Sequence, residues 1–143
     1  MTREELQKTA RQYVEAWQRH DAAGIAQRHT ADCVAESPIY STLRGRKAIE
    51  DAARAFFTSF PDAVITADAV IVDAPHVAIF FTTAATHVNE FFGMPGTNRH
   101  VEVSNAFLLE TNSDGLIVKE RRIYDFTGLL LQVGILRAKP AKP

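Results

Sequence analysis

Cys33 is the only cysteine in this chain of 143 residues. No internal disulfide can form, so a fold of this length has to rest on its apolar core. A lone thiol also fits a reducing cytoplasm. No apolar run approaches the ~20 residues that a membrane span needs. The opening Thr2-Arg3-Glu4-Glu5 has no apolar signal core, so export is not expected. Net charge is −1 and no basic run or stripe occurs, which argues against a nucleic-acid partner. His-Glu-x-x-His and Cys-x-x-Cys are missing, and with them the usual metal spacings. Gly-x-Gly-x-x-Gly, the phosphate loop and the Gly-x-Ser-x-Gly elbow are missing too, so neither a nucleotide site nor a serine triad is indicated.

What remains is an ordinary globular composition, 46% hydrophobic and 23% charged, which suits one domain. Thr2 and Glu5 have capping-box spacing, and Leu6, Ala10, Tyr13, Val14 and Trp17 follow on one helical face. The spacing predicts a helix over about 2–19. Asp21 can cap a short second helix through Ile25 and His29. Residues 31–38 read as a short strand ending at Pro38. Gly45 opens a third helix whose stripe is Ile49, Ala52, Ala53, Phe56, Phe57 and Phe60, and Pro61 stops it. Four β-rich runs follow, over 64–72, 77–89, 101–110 and 116–126, separated by short turns that imply antiparallel neighbours. Helices first and strands afterwards predict an α+β fold. A single domain is expected over 1–137, with a disordered tail over 138–143.

Two strands carry polar residues where alternation predicts a buried face. Val101, Val103, Asn105, Phe107 and Leu109 share one side. Asn105 is either satisfied by neighbouring backbone or lines a pocket and bonds a ligand. On the last strand Ile117, Lys119, Arg121, Ile123 and Asp125 fall on one face, and Val118, Glu120, Arg122, Tyr124 and Phe126 on the other. Neither face is cleanly apolar, so one can meet a partner subunit and the other a pocket. By position alone, Asp125 reads as a cap for the turn over 129–133. His87, on the face of Ile79 and Phe81, reads as a structural histidine.

Three stretches carry a family resemblance. The first is Gly45-Arg46-Lys47-Ala48-Ile49 with Phe60-Pro61-Asp62. The second is Thr86-His87 with Gly93-Met94-Pro95-Gly96-Thr97-Asn98-Arg99. The third is Asp114-Gly115-Leu116-Ile117 with Tyr124-Asp125 and Gly128-Leu129-Leu130-Leu131-Gln132-Val133-Gly134. Together they resemble the SnoaL-like polyketide cyclases of the nuclear-transport-factor-2-like superfamily. The resemblance implies a cone, in which three N-terminal helices pack on a highly curved antiparallel sheet around one pocket, and a homodimer through the outer sheet face. It implies Asp125 as general acid/base for an aldol-type ring closure and His87 as a second pocket residue. The family's usual Thr-Gly-Arg reads Thr97-Asn98-Arg99 here, and its His-x-Gly reads His87-Val88-Asn89. The N-terminal third is also similar to ketosteroid isomerases, through Gln12-Tyr13-Val14 and Glu36-Ser37-Pro38. Ser37 stands where the isomerase has its catalytic Asp, and a hydroxyl of ordinary pKa cannot abstract a proton from carbon near neutral pH.

The expected chemistry needs no cofactor and no metal. It needs a carboxylate in an apolar cavity, with its pKa raised toward the working pH, and a donor for the enolate oxygen. The expected catalytic pair is Asp125 and His87. The expected substrate contacts are Tyr13, Trp17, Phe56, Phe60, Phe91, Asn105 and Arg121, around a small hydrophobic molecule. The rival expectations are a non-catalytic ligand-binding module, a structural dimer module with a collapsed pocket, and an epoxide hydrolase. The last wants more than one carboxylate around a water.

Overall fold

The computed structural model describes residues 1–137; the tail expected over 138–143 lies outside the described residues. Helix α1 (Arg3–Gln18) starts as its capping box dictates. The Glu5 amide donates to Thr2 Oγ1 at 3.1 Å, and the Thr2 amide donates to Glu5 Oε2 at 2.7 Å. Its buried stripe is Leu6, Ala10, Tyr13, Val14, Ala16 and Trp17. Asp21 caps the short α2 (Ala22–Gln27). Strand β1 (His29–Ser37) turns into β2 (Ser41–Arg44), which leads through Gly45 into α3 (Arg46–Ser59). Gly45 has a positive φ of 83°, which an L side chain rarely adopts.

The rest is a meander: β3 (Val64–Asp73), β4 (His76–Thr86), β5 (His100–Thr111) and β6 (Ile117–Tyr124), closed by α4 (Phe126–Gln132). The six strands form one sheet in the order β2-β1-β6-β5-β4-β3. The α+β architecture is the one the sequence implies, with two corrections. Strand β2 was not expected; its four residues are mostly exposed and carry no alternating apolar signal. The sheet is also not wholly antiparallel, because β1 runs parallel to β6, with Glu36 opposite Arg121. The long excursion through α3 and the meander brings the last strand back beside the first, as a parallel neighbour requires.

Two apolar clusters divide the interior. One joins α1 and α2 to the inner face of the sheet through Leu6, Tyr13, Trp17, Ile25, Ile79, Phe107 and Leu109. The other gathers Phe60, Ala85, Phe91, Val101, Leu129 and Val133 near α4. Phe56 of α3 packs against both. Among the described residues no helix is long and apolar enough to cross a membrane.

Candidate active site

A cavity of about 110 Å³ opens where the two clusters meet. Its walls are aromatic and aliphatic, with Phe56 and Phe60 from α3 and Phe81, Val103 and Phe107 from the sheet. Half-exposed Ile39 and Tyr40 and exposed Asp125 mark the mouth. On the inner wall stand Trp17, Asn105 and Arg122. Phe107 lies directly opposite Arg122 across the β5–β6 pair, and Asn105 opposite Tyr124, so these four side chains share one patch of the inner face.

The Arg122 guanidinium sits 5.4 Å from the Trp17 ring centroid and 5.0 Å from that of Phe107. At these distances the ring faces attract the cation. Its Nε donates to Glu120 Oε2 at 2.7 Å. Behind the wall, Glu120 Oε1 accepts from the Tyr13 hydroxyl at 2.5 Å and lies 2.8 Å from His29 Nε2. His29 Nδ1 lies 2.8 Å from the Ile25 carbonyl oxygen. Glu120 and His29 are fully buried. Burial alone would raise the Glu120 pKa, but the Arg122 charge, with His29 and Tyr13, outweighs it and holds the carboxyl at about 2. Burial, reinforced by the Glu120 charge, pushes the Tyr13 hydroxyl well above its ordinary value. Two buried atoms on lining residues, Asn105 Oδ1 and Arg122 Nη2, have no hydrogen-bond partner among the described residues, while the Trp17 N–H interacts with the Tyr13 hydroxyl behind the wall.

A family model described as SnoaL-like polyketide cyclase matches residues 7–133. The chain belongs to this family. AclR, a proposed hydroxylase from Streptomyces galilaeus, superposes on it with a TM-score of 0.84 at 24% identity, over 97% of this chain and 87% of AclR. IdmH, a proposed polyketide cyclase from Streptomyces antibioticus, does so with a TM-score of 0.77 at 25% identity, over 90% of this chain and 98% of IdmH. SalBIII, an epoxide hydrolase/cyclase-like enzyme of pyran ring formation in the polyether salinomycin, gives a TM-score of 0.72 at 15% identity, over 87% of this chain and 94% of SalBIII. The likenesses to AclR and SalBIII speak for the fold alone. No match was found among curated protein sequences.

In this SnoaL-like chain Trp17, Phe56, Phe60, Phe91 and Asn105 all line the cavity. Asn105 Oδ1 has no hydrogen-bond partner among the described residues, so the reading in which neighbouring backbone satisfies that oxygen does not hold. Tyr13 does not line it; its hydroxyl lies behind the wall on Glu120. His87 is buried behind Phe60, with ring centroids 5.5 Å apart, and its Nδ1 lies 3.1 Å from Thr97 Oγ1. It is not among the lining residues. Arg121 is exposed on the outer face, opposite to the expectation, and its neighbour Arg122 faces the cavity. Strand alternation allows only one of two consecutive residues inside.

Asp125 lines the mouth, but it is exposed and not sunk in an apolar hollow. It follows the last residue of β6, so strand alternation no longer governs it. Its Oδ1 accepts from the Gly128 amide at 2.8 Å and caps α4. A Cβ at position 128 would come within 2.1 Å of Asp125 Oδ2, so this cap needs the glycine. The same Asp-x-x-Gly device recurs at Asp21 and Gly24, where the amide-to-Oδ1 distance is 2.9 Å. The sequence reading missed Glu120, Arg122 and His29 as members of a site. The available signal was the Glu120-x-Arg122-x-Tyr124 alternation, which puts two charges and a phenol on the inner face of a central strand. Among the described residues no group of three or more His, Cys, Asp or Glu side chains is arranged to hold a metal ion.

Proposed function

We propose that this SnoaL-like chain is a cofactor-independent enzyme that acts on a small hydrophobic, polyketide-like molecule by acid/base chemistry, with Asp125 as the proton carrier. The observation that carries this reading is the placement of Asp125. It is the one carboxylate among the described lining residues, and it stands at the mouth of an apolar cavity whose inner wall holds unpaired polar atoms. The cap uses Oδ1, and Oδ2 is the oxygen left to exchange a proton with a substrate. In an aldol-type closure the carboxylate removes a proton from carbon beside a carbonyl. The enolate then forms a carbon–carbon bond to a second carbonyl carbon, and the resulting alkoxide takes a proton back. Isomerisation or hydrolysis would use the same proton carrier. A lone carboxylate in the lining disfavours an epoxide-hydrolase site built on two acids.

Trp17, Phe56, Phe60, Phe91 and Asn105 are the proposed substrate contacts, and Tyr13 supports them through Glu120. His87 is assigned to holding Phe60 in the wall. The outer sheet face supports a homodimer, because exposed Phe80, Leu108 and Ile123 lie on neighbouring strands there. The lone cysteine supports a cytoplasmic location.

Asp125→Asn tests the proposal cleanly, because Asn caps a helix about as well as Asp. With a panel of aromatic β-keto esters analysed by mass spectrometry and NMR, the wild type is expected to convert at least one compound. The variant is expected to fold normally and lose turnover by roughly 10²–10⁴-fold. A folded Asp125→Asn variant with full turnover would overturn the assignment. The second reading, a binding module without chemistry, is favoured by the exposure of Asp125 and its service as a cap. It would be correct if the wild type bound panel compounds and returned all of them unchanged.

A further inference from the structure

We infer that Arg122, held between the rings of Trp17 and Phe107, is the seat for a delocalised anionic oxygen, a carboxylate or an enolate, and that Asn105 Oδ1 receives a hydroxyl or N–H of the same ligand. The inference deepens the enzymatic reading, since it concerns the same cavity, but it stands on binding and not on turnover.

Two observations converge on it. First, Arg122 Nη2 can only donate, and it is buried, without a partner among the described residues, on a residue of the cavity lining. Arg122 is 6% exposed, so bulk water does not satisfy it. Second, the guanidinium is held in place before any ligand arrives, by Glu120 on Nε and by the rings of Trp17 and Phe107. A donor fixed in advance loses little freedom on binding.

Glu120 engages the guanidinium through Nε alone, so its Nη2 side is left for an oxygen from the cavity. An ionised oxygen there adds an ion pair to the hydrogen bond, and a neutral carbonyl oxygen adds the hydrogen bond only, so the seat discriminates between oxygens by charge.

The test uses four small probes and the full-length protein. Cyclohexanecarboxylate and the enolate of cyclohexane-1,3-dione are the anions; cyclohexanecarboxamide and cyclohexanone are their neutral counterparts. Affinities are measured by calorimetry and, in the wild type, also by the fluorescence of Trp17, the only tryptophan. At least one anion is expected to bind roughly 10-fold or more tighter than its neutral counterpart, with a change in Trp17 emission. Carboxylate preference alone identifies the ligand group as a carboxylate substituent, and preference for the dione identifies it as an enolate. Trp17→Leu removes the larger of the two rings that hold the guanidinium. Arg122→Lys keeps the charge against Glu120 and removes the forked donors. Each is expected to cut the preference at least 3-fold while remaining folded by circular dichroism.

Equal affinity for anion and neutral counterpart in the wild type would overturn the inference. So would a preference that survives unchanged in both folded variants, because the anion would then sit elsewhere. Asp125→Asn should leave the preference intact. Failure of the acid/base reading and failure of the seat are therefore separate results.

Discussion

Glu120 and Asp125 lie five residues apart, one on β6 and one just past its end, and they could hardly be placed more differently. Glu120 is sealed from water and accepts from Tyr13 and Arg122 while facing His29. Asp125 is exposed and accepts from one backbone amide. A carboxylate with both oxygens engaged and its pKa held at about 2 does not take up a proton near neutral pH; it organises its neighbours. A carboxylate with one oxygen spare at a cavity mouth can exchange protons with whatever enters. Burial and pKa displacement often mark chemistry, yet here the buried, displaced carboxylate is the scaffold and the exposed one the reactive candidate.

The largest break in this comparison is Glu120→Ala. It strands the Arg122 cation, with Tyr13 and His29 beside it, and should cost about 3–5 kcal/mol in urea unfolding. Asp125→Ala removes only a cap, so the two alanine variants should differ by several-fold in ΔΔG. The next effect is acid sensitivity. The Glu120 carboxyl is lowered in the folded state, so its contribution is fully present above about 4.5 and is lost as pH falls toward about 2. That interval corresponds to roughly 3 kcal/mol. Unfolding midpoints measured from pH 7 to 2 should fall across this window in the wild type and much less in Glu120→Gln. The smallest effect compares the two Asp-x-x-Gly caps. Asp21→Ala and Asp125→Ala should each cost about 0.5–2 kcal/mol, and Asn should restore both. Only changes at Asp125 should alter turnover, because Asp21 lies away from the cavity.

The helical half of the fold was legible because its signals are local. A capping box and a 3.6-residue stripe fix α1 without reference to any other part of the chain, and the Gly45 and Pro61 boundaries frame α3. The pocket face of β5 was equally plain from alternation, and Val101, Val103, Asn105 and Phe107 do face the cavity. What was hidden is non-local. Nothing in residues 41–44 announces a strand, because β2 exists by pairing with β1. The parallel β1–β6 pair joins segments about 85 residues apart, such as Glu36 and Arg121. The choice between Arg121 and Arg122 depended on where alternation stops, and Asp125 misled it: counted as part of the strand, it drew Arg121 to the pocket side. His29 gave no signal, since its meaning comes only from Glu120 across the core.

The parallel seam between β1 and β6 has a consequence for synthesis. Tyr13 and His29 are made 107 and 91 residues before the Glu120 they contact. At ~5–20 residues per second a ribosome imposes a wait of roughly 5–20 s before that partner exists. During this interval the early helices cannot bury those polar groups against their final neighbours. The nascent chain must therefore keep its first third loosely held until the last strand emerges and slots in beside the first, so completion of the sheet between β1 and β5 is a late event.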